Sequence, residues 1–104
     1  MAWIVLVVSG MLETVWAIAL ERSAGFTRPV PSVVFGVALA ASMAGLAYAL
    51  RTIEVGTGYA VWVGIGAVLT AVVGMVALGE SASLPRIVSL VLVVAGIVGL
   101  KIFH

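Results

Sequence analysis

Four apolar stretches, residues 3–20, 30–50, 56–78 and 87–103, follow one another with only short polar connections between them. At ~1.5 Å of rise per residue, each is long enough as a helix to cross a hydrocarbon layer of roughly 30 Å, the first and last only just. Lipid offers no partner to a backbone N–H or C=O, so each stretch must satisfy its own backbone. The expected fold is therefore all-α, a membrane protein with four transmembrane helices per chain. Glycine within such spans is tolerated because membrane helices use small residues for close packing. Only 9% of the 104 residues are charged, against the roughly 25% of a soluble domain. Such a chain has no polar coat to keep it in water.

The connections, residues 21–29, 51–55 and 79–86, are too short to divide the chain, so residues 1–104 are expected to form a single domain. Pro29 and Pro31 frame the start of the second helix, and Pro85 is expected just before the fourth, where a missing N–H costs little. The first stretch imitates a signal peptide at Ala17-Ile18-Ala19. However, residues 1–3 contain no basic side chain and a carboxylate interrupts the apolar run, so the segment reads as a retained span.

Several function classes are excluded by composition. The net charge is +1 and no basic stripe appears, which leaves no case for a nucleic-acid partner. Without cysteine there is no disulfide frame and no thiolate metal site. The single histidine, His104, ends the chain and is expected to fray. No nucleophile–base pair or metal cluster suggests an enzyme, and no cofactor is called for. With no soluble domain, any function has to sit between helices, in contact with membrane lipid.

Charge also bears on orientation. Four spans place both termini on one side, which puts Arg22, Arg28 and Arg86 on one face and Arg51 and Lys101 on the other. Three against two is a weak positive-inside bias. Insertion in both orientations, giving an antiparallel pair, and ordinary insertion in one orientation both fit that balance. Size favours the pair: four helices in contact fill their own centre, whereas eight can enclose a cavity. Transporters commonly place their substrate site between inverted repeats near mid-membrane, and an antiparallel homodimer would supply that symmetry.

Eight of the nine charged residues lie in connections or at helix ends, where they reach water. The ninth is Glu13. It falls ten residues after Trp3, about 15 Å deep at helical rise. An acid at that depth costs roughly 2.5–3.5 kcal/mol on insertion scales and calls for a reason. One reason is a neutral carboxylic acid making an interhelical hydrogen bond; the other is function. Burial penalises the charged carboxylate, and an incoming cation offsets that penalty. Protonation in turn removes the anion that holds the cation. Mutually exclusive occupancy of this kind is the physical core of antiport.

Helical spacing places Gly10, Glu13, Trp16 and Ala17 on one stripe, with Gly10 leaving space beside the acid. Tyr59 and Trp62 repeat the i, i+3 relation in the third span. Aromatic faces attract a delocalised cation by ~0.5–2 kcal/mol each. Interfacial belts also collect such residues, which is the expectation for Trp3 and Tyr48 and an open alternative for Tyr59. Ser42 sits halfway along the second span, positioned either to hydrogen-bond Glu13 or to bond its own backbone. Gly64 and Gly66 form a pair that permits a bend, and Ser89, Gly96 and Gly99 make a small-residue seam suited to helix association.

From end to end the chain resembles the small multidrug resistance family. The matching stretches are Gly10-Met11-Leu12-Glu13, Ser23-Ala24-Gly25-Phe26-Thr27-Arg28, Pro31-Ser32, Gly56-Thr57-Gly58-Tyr59-Ala60-Val61-Trp62 and Gly64-Ile65-Gly66. The resemblance implies an antiparallel dual-topology homodimer in the bacterial inner membrane that exchanges protons for organic cations, with the third helix as hinge and the fourth as dimerisation element. Trp16-Ala17 after Glu13, Leu39 where the quaternary-ammonium subtype usually has Tyr, and the closing run from Arg86 to Lys101 resemble the guanidinium-exporter subtype. That likeness implies a binding shell of Glu13, Gly10, Trp16, Ser42, Tyr59 and Trp62, its carboxylates and other acceptors matched to planar guanidinium. Two positions depart from the pattern: Glu21 stands where the family commonly has Lys, and Val63 replaces a small hydroxyl residue. Two other readings stay open, a quaternary-ammonium exporter of the same family and a non-transport subunit in which Glu13 serves assembly.

Overall fold

The computed structural model describes residues 1–103, so the expectation for His104 lies outside the described residues. Among them are four α-helices and no strand: α1 (Ala2–Arg22), α2 (Pro29–Ala49), α3 (Val55–Ala77) and α4 (Leu84–Phe103). All four are long and apolar enough to span a membrane. The chain is a multi-pass integral membrane protein.

Local sequence explains where the helices stop. After α1 the buried Ser23 ties off the turn: its hydroxyl donates to the Leu20 carbonyl at 2.7 Å and accepts from the Phe26 N–H at 3.1 Å. The chain then reverses through three left-handed residues, Ala24, Gly25 and Phe26 (φ 50°, 73° and 67°). Pro29 opens α2 at a position where its missing N–H has no intrahelical partner to lose. At the far end of α3, Gly79 (φ 73°) makes the sharp turn that only glycine adopts without strain. That turn lets the Glu80 N–H donate to the Gly74 carbonyl at 3.0 Å. Pro85 was expected to precede the fourth helix. Instead it lies in the first turn of α4, which begins at Leu84, because a first-turn N–H is unpaired anyway.

α1 is the central element, packed against α2 on one side and α3 on the other, while α4 packs on α3. The core is small: Leu6, Leu46, Ala49, Ile53, Val61 and Trp62, with Trp3, Trp16, Leu50, Ile65 and Ile97 partly buried around it. Close approach explains two glycines. A side chain at position 45 would collide with Ser9, so Gly45 sets the α1–α2 distance. A methyl at position 10 would lie 3.0 Å from Ile65 Cβ and 3.2 Å from the Trp62 carbonyl, so Gly10 sets the α1–α3 distance.

The Cα atoms span 42 × 35 × 17 Å. A layer that thin is a slab and not a closed bundle, since one helix with its side chains is already about 10–12 Å across. Four helices in mutual contact would fill a common centre. These four do not, because α4 touches the others only at the edge of the slab, and one broad face of α1 and α3 stays open.

Candidate functional site

Glu13 sits in the middle of α1 and retains only 9% of its exposure. Its carboxylate lies directly over Gly66 of α3, where any Cβ would collide with it. Gly66 thus opens the notch that admits the acid between two helices. Beside it the Thr70 hydroxyl donates to the Thr14 hydroxyl at 3.3 Å, and Thr14 reaches the Gly66 carbonyl at 3.4 Å. These long contacts link α1 to α3 one residue from Glu13.

A cavity of about 550 Å³ opens in front of the acid, lined by Glu13, Trp16 and Ala17 of α1, by Tyr59, Trp62, Val63, Gly66, Ala67, Thr70 and Ala71 of α3, and by Glu80 and Arg86 beyond. Tyr59 and Trp62 stand side by side with ring centroids 5.8 Å apart and planes tilted by 35°. Trp62 is buried, whereas Tyr59 is 54% exposed at the cavity's open side. Trp16 makes a T-shaped contact with Phe35, ring centroids 6.0 Å apart, and Phe35 in turn meets Phe26 of the α1–α2 turn at 5.5 Å. The indole N–H groups of Trp16 and Trp62 are both buried with no acceptor among the described residues. A buried donor left unpaired costs about 1–3 kcal/mol.

Of the six residues expected to form the shell, four line this cavity: Glu13, Trp16, Tyr59 and Trp62. Gly10 and Ser42 do not. The space beside Gly10 is taken up by Ile65 and the Trp62 backbone. Ser42, fully buried, donates to the Ser9 carbonyl at 2.8 Å, neither to Glu13 nor to its own helix. Both residues act one layer behind the acid, fixing how α2 and α3 meet α1. Gly64 and Gly66 lie in an uninterrupted helix, and both serve close approach: Gly64 faces Ile97 of α4, with 2.8 Å between a built Cβ and Cδ1, as Gly66 faces Glu13. On α4, Ser89 returns its hydroxyl to the Pro85 carbonyl at 2.8 Å, and nothing lies within 4 Å of a side chain placed at Gly96 or Gly99. Tyr48 lies under Arg51 and Trp3 under Lys101, cation over ring at 5.9 Å and 5.0 Å, at helix ends.

Sequence reasoning missed Thr14, Thr70, Ala67, Glu80 and Arg86. Thr70 had a signal: the Trp62 stripe carried on by four residues gives Gly66, then Thr70. Glu80 and Arg86 had none, since a turn brings them to the cavity and no periodicity records a turn. No group of acidic or histidine side chains that could hold a metal is present among the described residues.

Residues 1–93 match the family model described as Small Multidrug Resistance protein. The chain belongs to the small multidrug resistance family. Among its curated relatives in the family, the Guanidinium exporter of Yersinia pseudotuberculosis serotype I (strain IP32953) is 60% identical over 102 residues, covering 98% of each chain. The Guanidinium exporter of Citrobacter freundii is 56% identical and that of Escherichia coli (strain K12) 54%, each covering 98% of this chain and 97% of the relative. Within this small multidrug resistance protein, then, the apolar slab, the notch at Gly66 and the aromatic wall belong to a chain matched almost end to end by exporters.

Proposed function

We propose that this chain exports guanidinium ion, and small substituted guanidines, across the bacterial inner membrane in exchange for protons. The observation that carries the reading is one carboxylate, Glu13, set midway along a transmembrane helix and facing a cavity walled by Trp16, Tyr59 and Trp62. The names of the relatives favour guanidinium over a quaternary-ammonium substrate, and an exporter over a non-transport subunit. A planar cation with N–H donors around its rim suits a carboxylate beside aromatic faces.

In this mechanism Glu13 binds either protons or the cation. Arrival of guanidinium stabilises the ionised carboxylate and expels the proton; protonation on the opposite side of the membrane discharges the cation. Gly66 holds the acid in its notch, Ser42 and Gly10 fix the helices behind it, and Tyr59 and Trp62 form the wall that the cation meets. Two copies assemble antiparallel, the open face of each slab covered by the other, so that the exposed side of Tyr59 is closed by the second chain. Ser89, Gly96 and Gly99 on α4 form the dimer seam. Gly64 and Gly66 give α3 the bend that exchanges inward-facing and outward-facing arrangements.

The direct test is guanidinium uptake into liposomes driven by a proton gradient. Wild type should concentrate guanidinium, and adding guanidinium to protein in weakly buffered neutral solution should release protons. Absence of proton release would remove the competition on which the exchange depends.

A further inference from the structure

Glu80 is a second carboxylate on the route to Glu13, and it already holds a guanidinium group. Its Oε1 accepts from Arg86 Nη2 at 2.7 Å, while Arg86 Nη1 donates to the Ser81 carbonyl at 3.0 Å. Glu80 and Arg86 line the same cavity as Glu13. Glu80 also borders a second cavity of about 460 Å³, which runs past Ala17 and Thr70 to Glu21 and Arg22 at the end of α1. It thus stands at the junction between the cavity of the acid and the helix ends where solvent begins.

The position is built for a carboxylate. Gly74 lies beneath it, and a Cβ there would sit 2.7–2.8 Å from the carboxylate atoms. The left-handed turn at Gly79 and the Glu80 N–H bond to Gly74 lay the side chain back over α3. Helix electrostatics give no reason for either charge. Glu80 rests against the C-terminal turn of α3 and Arg86 occupies the first turn of α4, so each charge lies at the helix end that disfavours it. The side chains remain 48% and 32% exposed. Ion pairs this open exchange partners readily and contribute little to stability.

Resting on the exporter reading above, the geometry points to Glu80 as an outer docking station for the guanidinium substrate, with Arg86 as its tethered competitor. An incoming guanidinium replaces the Arg86 side chain by taking over its hydrogen bonds to Glu80 Oε1 and to the Ser81 carbonyl. Arg86, returning, displaces the substrate inward to Glu13 or outward to water. The station fills only briefly because the chain carries its own occupant. A quaternary ammonium ion, which has no N–H to offer, gains nothing from the fork geometry.

The two partners must then have opposite effects, which a structural clasp would not. In liposomes containing the full chain, initial rates of guanidinium uptake are measured against concentration. Glu80→Gln is expected to raise KM about two- to fivefold, the range an exposed charge pair supports, and to change KM more than maximal rate. Arg86→Gln, which frees the carboxylate, is expected to lower KM by a similar factor. Glu80→Asp should restore a KM near wild type. If Arg86→Gln does not fold, Arg86→Lys, a point charge without the fork, serves in its place and should also lower KM. Shifts of the same sign in the Glu80 and Arg86 variants, or no shift in either, overturn the docking station while leaving the exporter reading intact. Failure of the wild-type chain to take up guanidinium would overturn the exporter reading itself.

Discussion

α1 and α4 are both apolar helices of transmembrane length, yet a third of the α1 span is buried within the chain and none of α4 is. α1 spends its small and polar residues on neighbours: Ser9 and Gly10 meet α2 and α3, Glu13 fits the notch at Gly66, and Thr14 reaches across to Thr70. α4 has small residues too, but its Gly96 and Gly99 face open space. In water such a helix would drive aggregation; in lipid its exposure costs nothing, because the solvent is as apolar as the side chains. Hydrophobic content therefore cannot distinguish a helix that builds a site from one that awaits a neighbour. Only the fate of the small and polar residues does.

The largest effect expected on the site side of this contrast is at Glu13. Glu13→Gln removes both the proton and the charge that holds the cation, so proton-driven guanidinium uptake should fall to the background of protein-free liposomes. Retained exchange would show that α1 carries no more of the chemistry than α4 does. Competition also has a definite sign in pH. Acidifying the side that offers guanidinium should weaken its apparent affinity, and alkalinising should strengthen it, until the acid is fully ionised. An affinity independent of pH across that titration contradicts shared occupancy.

Next in size is Gly66→Ala. The new methyl would occupy the place of the Glu13 carboxylate, and overpacking of this kind costs about 1–3 kcal/mol. A transport loss on the order of tenfold or more is expected, with the helices still formed by circular dichroism. Wild-type rates would mean that the notch is not where the acid works. Trp16→Gly should cost less, since one aromatic face is worth ~0.5–2 kcal/mol to a cation. The expected outcome is a several-fold weaker preference for guanidinium over a bulkier quaternary ammonium ion, read from paired transport currents.

These residues also mark how far the sequence alone could be read. Four helices were legible because lipid leaves a backbone no other choice, and Glu13 because one acid in an apolar run stands out against any background. Tyr59 and Trp62 were legible from one helical repeat. Ser42 was legible as a mid-helix hydroxyl set to bond either Glu13 or its own backbone, but its partner, the Ser9 carbonyl, was not, because it is set by the crossing of α1 and α2. Gly10 shows the same limit: a glycine in a stripe signals room, and the fold decides who takes it. The slab shape was not legible either, since patterns within each helix say little about which helix ends up alone at the edge.

The smallest expected effect separates α4 from a merely lipid-facing helix. Gly36 of α2 and Gly96 of α4 both have nothing within 4 Å of a side chain placed on them. Judged within one chain, alanine at either should be harmless, and should help by roughly 0.5–1 kcal/mol through the lost flexibility of glycine. If α4 docks on a second copy through its small-residue seam, the two substitutions part company. Gly36→Ala then leaves the dimer fraction unchanged or slightly raised, whereas Gly96→Ala lowers it several-fold, as seen by crosslinking while the protein is diluted in detergent. Engineered cysteine pairs placed along α4 would add the orientation, since only an antiparallel arrangement brings the start of one α4 to the end of the other. Equal behaviour of the two glycine variants would leave the Gly96 face of α4 turned to lipid, and the second chain would then have to cover the open cavity through α1 and α3 instead.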